Sequence, residues 1–104
     1  MIGAAARYVA RTMAFVTYTP HLSRFFPGLA EGEIPGATVA EVIAALDRKH
    51  PGLQGYLVDD RGALRQHVNV FVGGSPVKDR EKLADRIAPS ERIFIAQALS
   101  GGRT

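Results

Sequence analysis

Apolar and polar residues alternate in two segments of this 104-residue chain, residues 67–72 and 92–99. Such alternation predicts β-strands with one buried face, because successive side chains of a strand point to opposite sides of the sheet. The positions that share the predicted core face are all β-branched: Val68, Val70, Val72, Ile93 and Ile95. If a helix covers that face, Phe71 and Phe94 lie on the open face of the sheet. In the alternative interpretation, the loop before the first of these strands covers Phe71.

One amphipathic helix is predicted over Val39–Lys49. Its apolar residues recur at the spacing that places them on one face of a helix: Val39, Val42, Ile43 and Leu46. Thr38 and Glu41 form the pattern in which a threonine hydroxyl and a glutamate side chain satisfy free backbone N–H groups at a helix start. Pro51 and Gly52 predict the end of the helix, since proline disfavours helical geometry in the residue before it and glycine allows a left-handed turn.

Two further strands are predicted near the start of the chain. Residues 14–19 are rich in aromatic and β-branched side chains and stop at Pro20, which is typical of a strand. Residues 29–34 return as a short edge strand, so the two strands form a hairpin. The complete order is strand, strand, helix, strand, short strand, strand. It predicts an α+β fold of the β-grasp type, a mixed sheet of four to five strands with one main helix on one face.

The connections are predicted from clusters of turn-forming residues. Residues 20–28 are expected to form a loop that folds Phe25 and Phe26 inward. Residues 52–65 are expected to form a loop with a short turn or strand near residues 56–58. Gly73 and Gly74 allow the positive φ angles of a tight hairpin, and residues 79–83 are expected to form one helical turn.

The composition limits the classes of function. A chain of 104 residues with 46% apolar residues fits one compact domain and leaves no room for a separate catalytic domain. The chain has no cysteine, which excludes disulfides, thiolate metal sites, a thiol nucleophile and a β-grasp ferredoxin. The sequence holds no apolar stretch of membrane-spanning length, about 18 residues, so we expect a soluble, cytoplasmic protein with no membrane partner.

Charged residues and histidines do not form a recognisable binding or catalytic pattern. The net charge is +3, with a sequence pI near 9.7. Basic residues alternate with acids, for example in residues 78–82, and this pattern is typical of solvated faces rather than of a nucleic-acid interface. His21, His50 and His67 lack the spacing of metal ligands, so no metal site is predicted. No serine stands in the sequence context of a nucleophile, and we expect no catalysis by the chain itself.

The sequence ends in a tail with a Gly-Gly pair, Ser100-Gly101-Gly102, directly after the apolar last strand. Glycine has no Cβ atom, so such a segment can lie extended in a slot too narrow for side chains. The tail is therefore the predicted chemical site, made to enter a partner enzyme. The alternative is a frayed terminus without a function.

Three segments of the chain resemble the MoaD/ThiS family of ubiquitin-like sulfur carriers. They are residues 66–74 (QHVNVFVGG), 87–95 (IAPSERIFI) and 98–102 (ALSGG), and the resemblance covers residues 14–102. The long loop before the strand at His67 is more similar to carriers linked to cysteine synthesis than to molybdopterin or thiazole carriers. Two features depart from the family pattern: Gly74 replaces a residue that is often polar, and Arg103-Thr104 follow the two glycines.

The resemblance implies that Gly102 is the site of adenylation and thiocarboxylate formation, with Gly101 and Ser100 as the tail. The implied partners are a ubiquitin-activating-type adenylyltransferase, a sulfur donor such as a sulfurtransferase, and a sulfur-accepting synthase. No cofactor is bound, since ATP is used by the adenylyltransferase. The expected docking surface is the open sheet face, with the side chains of Phe71, Phe94 and Ala96.

Arg103 and Thr104 would have to be removed before Gly102 carries a free carboxylate. The resemblance implies a zinc metalloprotease of the JAMM type for this step, while a degenerate carrier is the alternative. We expect residues 1–12 to be a flexible extension, residues 13–98 the β-grasp domain and residues 99–104 a flexible tail. Met13 is an alternative natural start of the protein.

Two other functions are compatible with the same sequence. A ubiquitin-like modifier would use Gly102 to form an isopeptide bond with a lysine, and conjugates with a Gly-Gly remnant would identify it. An interaction module would need no free Gly102, and its binding would be unchanged after removal of the tail.

Overall fold

The computed structural model describes residues 12–97, and they form a mixed five-stranded sheet with three helices. The strands are β1 (Met13–Tyr18), β2 (Gly32–Pro35), β3 (Val68–Val72), β4 (Ser75–Pro76) and β5 (Arg92–Gln97). The helices are α1 (Pro20–Phe25), α2 (Val39–Lys49) and α3 (Leu53–Leu57). The strand order is β2-β1-β5-β3-β4, in which β1 and β5 are parallel and the other neighbours antiparallel. The predicted α+β fold with one main helix is confirmed.

Side-chain alternation along the strands places one continuous hydrophobic core on one side of the sheet. In β3 and β5, Val68, Val70, Ile93 and Ile95 are fully buried, as the sequence pattern predicts, while Val72 is only half-buried near the hairpin. The same cluster includes the apolar residues of α2: Val39, Val42, Ile43, Ala45 and Leu46. Tyr18 belongs to this core, and no other residue with a polar or charged side chain among residues 12–97 is buried in it. No helix in the same part of the chain is long and apolar enough to cross a membrane.

The main helix α2 has the bounds predicted from the sequence. The Thr38 hydroxyl accepts a hydrogen bond from the N–H of Glu41 at 3.2 Å, as expected for its cap. The Glu41 carboxylate, however, accepts from the N–H of Ala37 at 2.8 Å rather than from that of Thr38. The two side chains therefore still satisfy backbone donors at the helix start, but the glutamate reaches one residue further back.

The prediction of a loop over residues 20–28 is wrong for its first part, which is the helix α1. Pro20 occupies the first turn, where its missing N–H costs nothing, and Leu22 is fully buried in the core. Phe26 packs against the core as predicted, but the prediction that Phe25 folds inward is wrong, since 54% of this residue is exposed.

The prediction of a loop over residues 52–65 is wrong for its first part, which is the helix α3. The short strand predicted near residues 56–58 is reduced to Val58, which forms an isolated antiparallel bridge with Leu64. Leu53 and Leu57 lie one helical turn apart, and both are fully buried. The Asp47 carboxylate at the end of α2 accepts hydrogen bonds from the N–H groups of Gly52 and Gln54, at 3.1 and 3.0 Å. These bonds hold α3 against the end of α2.

The segment after β3 follows the predicted pattern. Gly73 and Gly74 have φ angles of 59° and 89°, as a tight hairpin requires. The N–H of Leu83 then donates to the carbonyl of Asp79 at 2.9 Å, which closes the predicted single turn. The Asp79 carboxylate also accepts hydrogen bonds from backbone N–H groups of this turn. These bonds lower the pKa of Asp79, and the bond from Lys82 has the largest effect.

Candidate functional site

The open face of the sheet carries two phenylalanines that face each other across neighbouring strands. Phe71 of β3 is paired with Phe94 of β5 in the antiparallel register, and their ring centroids are 6.1 Å apart. Phe94 is 38% exposed and Phe71 is half-buried. We call this pair the Phe71–Phe94 surface. The alternation in β3 and β5 produces it directly, because the valines and isoleucines of the same strands occupy the core face.

Neighbouring strands extend this surface with small or apolar residues. Pro76 of β4 is the register partner of Phe71, and Thr17 of β1 is that of Phe94. Ala96, the third residue of the predicted docking surface, is half-buried opposite the exposed Asn69. The open face is thus apolar at its centre.

One corner of the open face carries a positive charge. The guanidinium of Arg92 lies over the ring of Phe15, 5.4 Å from the ring centroid. The positive charge of Arg92 is therefore held at the β1–β5 side of the Phe71–Phe94 surface.

In the alternative interpretation the loop before β3 covers Phe71, but the contacts of this loop lie elsewhere. Its helix α3 contacts α2, and the ring of Tyr56 contacts Phe25, Phe26 and His67. Phe71 instead has the ring of Phe94 as its aromatic neighbour. The structure therefore favours the interpretation in which Phe71 belongs to the open face.

Strand β5 leads from this face to the predicted tail. It ends at Gln97, whose N–H donates to the hydroxyl of Thr19 at 3.4 Å, and the N–H of Thr19 donates to the carbonyl of Ile95 at 3.1 Å. At the same end of the sheet, burial and, to a smaller extent, the Glu31 carboxylate raise the pKa of Tyr18 to about 12. The end of β1 thus holds the last residues of β5 in place.

The predicted tail residues lie outside the described residues. They are Ser100, Gly101, Gly102, Arg103 and Thr104. Their roles, and the predicted boundaries of the extension, the domain and the tail, stay predictions.

Arg80 is a positioning residue that the sequence analysis missed. Its guanidinium donates hydrogen bonds to the carbonyls of Arg65 and Val68, at 2.8 and 3.0 Å, and to the side-chain oxygen of Asn69 at 3.2 Å. It therefore ties the segment after β4 to the start of β3, the strand that carries Phe71. In the sequence Arg80 stands in a run of mixed charge, and only the fold brings it to these carbonyls.

The histidines do not come together. The His21 ring packs against Phe25 at 5.2 Å and the His67 ring against Tyr56 at 6.2 Å, both as edge-on aromatic contacts. Across residues 12–97, no group of three or more potential side-chain ligands is placed to hold a metal ion.

Comparison with known proteins gives relatives with the same type of domain, although no protein-family model matches the chain. Small archaeal modifier protein 3 from Haloferax volcanii is 30% identical over 66 residues, which cover 64% of this chain and 71% of that protein. A chain of the Amycolatopsis orientalis BexX/CysO complex superimposes with a TM-score of 0.73 at 26% identity, over 86% of this chain and 99% of that chain.

Mycobacterium tuberculosis CysO superimposes with a TM-score of 0.72 at 26% identity, over 83% of this chain and 99% of that chain. Three findings agree with one another. The sheet has the same fold type, the archaeal modifier protein is similar in sequence, and the superpositions cover nearly all of each small chain. The chain therefore belongs to the MoaD/ThiS family of ubiquitin-like β-grasp proteins, which act as sulfur carriers or modifiers.

Proposed function

We propose that this protein is a sulfur carrier that holds sulfur as a thiocarboxylate on Gly102. A partner adenylyltransferase joins the Gly102 carboxylate to the AMP part of ATP and releases pyrophosphate. The persulfide of a sulfurtransferase then attacks the acyl carbon, and AMP leaves. A second thiol of the sulfurtransferase attacks the resulting acyl disulfide, which releases the Gly102 thiocarboxylate and leaves a disulfide on the sulfurtransferase. The carboxylate itself has no adequate leaving group, which is why the mixed anhydride must form first.

The observation that carries this proposal is the Phe71–Phe94 surface, located on the strand that leads into the Gly-Gly tail. An exposed apolar patch on a small domain marks a contact site for a partner. A partner docked there would be beside the end of β5 at Gln97, from which the tail continues. The domain thus supplies recognition, while Gly101 and Gly102 supply a segment slim enough for a narrow active site.

The proposal includes a processing step. In the sequence Arg103 follows Gly102, so the Gly102 carbonyl belongs to a peptide bond and has no oxygen that can be adenylated. Hydrolysis after Gly102, by a JAMM-type zinc metalloprotease, would create the carboxylate. ATP and the zinc ion then belong to the partner enzymes, and this chain provides only the acyl group.

The sulfur acceptor in this proposal is a synthase of cysteine or cofactor biosynthesis in the cytoplasm. The cysteine route is favoured by the long segment between α2 and β3 and by the likeness to the two CysO structures. In either route the acceptor enzyme receives the tail of the loaded carrier, and the thiocarboxylate sulfur attacks an electrophilic carbon of the bound acceptor molecule and displaces a leaving group there. Hydrolysis of the resulting thioester then releases the sulfur-bearing product and restores the Gly102 carboxylate.

The intact mass of the protein recovered from its native cells tests the proposal. We expect loss of Arg103 and Thr104 together with a mass increase of one oxygen-to-sulfur exchange. A population that ends at Gly102 as a plain carboxylate, even in cells grown with ample sulfur, would contradict the carrier function.

A protein modifier is the second candidate, because the Haloferax volcanii relative is named a modifier protein. It would use the same adenylated Gly102 but transfer the acyl group to a lysine amine. Peptides with a Gly-Gly remnant on lysine, lost when Gly102 is deleted, would favour this function over sulfur transfer.

A further inference from the structure

The side chain of Asn69 is held in one orientation on the open face of the sheet. Asn69 alternates with the buried valines of β3 and is exposed. It lies two residues before Phe71 on the same side of the strand, about 7 Å away along β3. Its register partner in β5 is Ala96, the residue before the end of that strand. Asn69 thus extends the Phe71–Phe94 surface towards the point from which the tail continues.

Arg80 fixes the direction of the Asn69 amide. The Nη1 group of Arg80 donates to Oδ1 of Asn69 at 3.2 Å. A guanidinium group has donors only, so the oxygen of the planar amide faces Arg80 and the NH2 group lies on the other side. Arg80 itself is not free to turn, because its Nη2 group also donates to the backbone carbonyls of Arg65 and Val68, at 2.8 and 3.0 Å. The two N–H donors of Asn69 are therefore presented at the surface in a fixed direction.

The neighbours of Asn69 leave its NH2 group accessible to a partner. Strand β4 pairs with β3 at Phe71 and Val72 and ends before it reaches Asn69. Directly opposite Asn69 is Ala96, whose methyl group is too short to cover the amide. A protein that packs an apolar side chain against the Phe71–Phe94 surface can therefore also place an acceptor oxygen at Asn69.

We infer that Asn69 is a specificity-determining residue, whose NH2 group donates a hydrogen bond to an acceptor oxygen of the adenylyltransferase, and that Arg80 is its positioning residue. The inference rests on the proposed function, in which the adenylyltransferase docks on the open face. The apolar contact at the two phenylalanines has no preferred direction. A hydrogen bond requires alignment of donor and acceptor, so the bond at Asn69 would fix the orientation of the carrier on the enzyme.

The adenylyltransferase is the partner that needs such recognition by the domain. It receives a plain Gly-Gly carboxylate, and the two glycines offer no side chain to recognise. The processing protease, in contrast, can recognise Arg103 and Thr104, and the acceptor enzyme can recognise the sulfur atom. Selection of this carrier in the activation step therefore has to come from the surface beside the tail.

ATP–pyrophosphate exchange by the purified adenylyltransferase, with carrier variants that end at Gly102, tests the inference. Asn69→Ala removes the donors, and KM for the carrier should rise roughly 3- to 10-fold, as for loss of one hydrogen bond, with kcat unchanged. Asn69→Asp keeps an acceptor for Arg80 but places a carboxylate where the enzyme has an acceptor, so its KM should rise further than that of Asn69→Ala. The control is Gln54→Glu, the same amide-to-acid change at an exposed position of α3, which contacts α2 on the helical side of the domain. Its KM should equal that of the wild type.

A double substitution separates orientation of Asn69 from a purely structural role of Arg80. Arg80→Lys keeps the positive charge but loses the planar set of donors. It should raise KM when Asn69 is present and cause no further rise in the Asn69→Ala background. A purely structural role would lower the melting temperature and raise KM by the same factor in both backgrounds, which would contradict the positioning role.

An unchanged KM for Asn69→Ala would overturn the inference. A KM for Asn69→Asp below that of Asn69→Ala would also overturn it, because the amide would then accept a hydrogen bond rather than donate one. Normal exchange by Asn69→Ala, combined with slower loss of its thiocarboxylate form in native cells, would assign Asn69 to the acceptor enzyme instead. If the wild-type chain that ends at Gly102 supports no exchange, the proposed function fails before the variants are compared.

Discussion

Gly36 lies so close to Val42 that the first turn of α2 leaves no space for a side chain at position 36. A Cβ atom on Gly36 would be 2.7 Å from Cγ2 and 2.8 Å from the backbone N of Val42, and the φ angle of Gly36 is 155°. The backbone N atom of Val42 cannot move aside without shifting the helix. This contact sets how closely the connection from β2 approaches α2.

Replacing Gly36 by alanine should therefore destabilise the protein by about 1–3 kcal/mol, the usual cost of overpacking. Urea unfolding would measure the change. Gly32→Ala is the matched control, because nothing lies within 4 Å of the position that a Cβ atom would take there, and its effect should be clearly smaller. Equal stability of Gly36→Ala and wild type would show that α2 can shift away from the connection.

Leu46→Ala should destabilise the fold by roughly 2–5 kcal/mol, the range for truncation of a buried leucine. Leu46 is fully buried at the end of the apolar face of α2. Chemical unfolding monitored by circular dichroism would give the free energy of unfolding. The exposed Lys49 on the same helix provides the control, and Lys49→Ala should change that free energy by less than about 0.5 kcal/mol.

Phe94→Asp should weaken binding to the adenylyltransferase while the domain stays folded. A charge on a 38% exposed position costs little in the free protein but opposes an apolar interface. In the form that ends at Gly102, we expect a higher KM for the carrier in ATP–pyrophosphate exchange and an unchanged melting temperature. Phe71→Asp should act in the same direction, with a larger effect on stability because Phe71 is half-buried. Normal exchange with Phe94→Asp would remove the open face from the docking surface.

A variant that ends at Gly102 should support ATP–pyrophosphate exchange directly, whereas the chain that continues to Thr104 should require prior proteolysis. Only the shorter form has a carboxylate on Gly102. In that form Gly102→Ala should react poorly, since a methyl group obstructs a narrow slot and restricts the backbone. Equal exchange by the two lengths would indicate that Thr104 is the activated residue.

The substitution Asp79→Ala should make the free energy of unfolding less dependent on pH in the acidic range. Hydrogen bonds from backbone N–H groups lower the pKa of Asp79 in the folded protein, and the bond from Lys82 has the largest effect. The ionised carboxylate therefore stabilises the fold above its unfolded pKa of roughly 4. That stabilisation is lost as the pH falls through the lower folded pKa.

Urea unfolding at neutral pH and at decreasing acidic pH would measure this effect. Asp79→Ala should be less stable than wild type at neutral pH, and the difference should shrink as the pH falls. Asp60→Ala, which removes an exposed carboxylate from a turn, serves as the control. A stability difference between Asp79→Ala and wild type that does not change with pH would contradict the electrostatic explanation.

Local patterns in the sequence determined much of the fold. The bounds of α2 follow from its apolar spacing and from Thr38, and the φ angles of the β3–β4 hairpin follow from Gly73 and Gly74. The open-face position of Phe94 follows from alternation in β5. Each of these features depends on residues that are neighbours in the sequence, so the pattern contains the information that specifies it.

The short helices α1 and α3 depend on tertiary contacts rather than on local sequence patterns. A helix of about six residues is unstable by itself, because helix nucleation fixes several residues for few hydrogen bonds. Burial of Leu22 stabilises α1. Burial of Leu53 and Leu57, together with the hydrogen bonds to the Asp47 carboxylate, stabilises α3. Apolar composition alone suggested that Phe25 folds inward, but Leu22 is the buried residue of α1, and the ring of Phe25 at the end of this helix lies against Tyr56 and stays exposed.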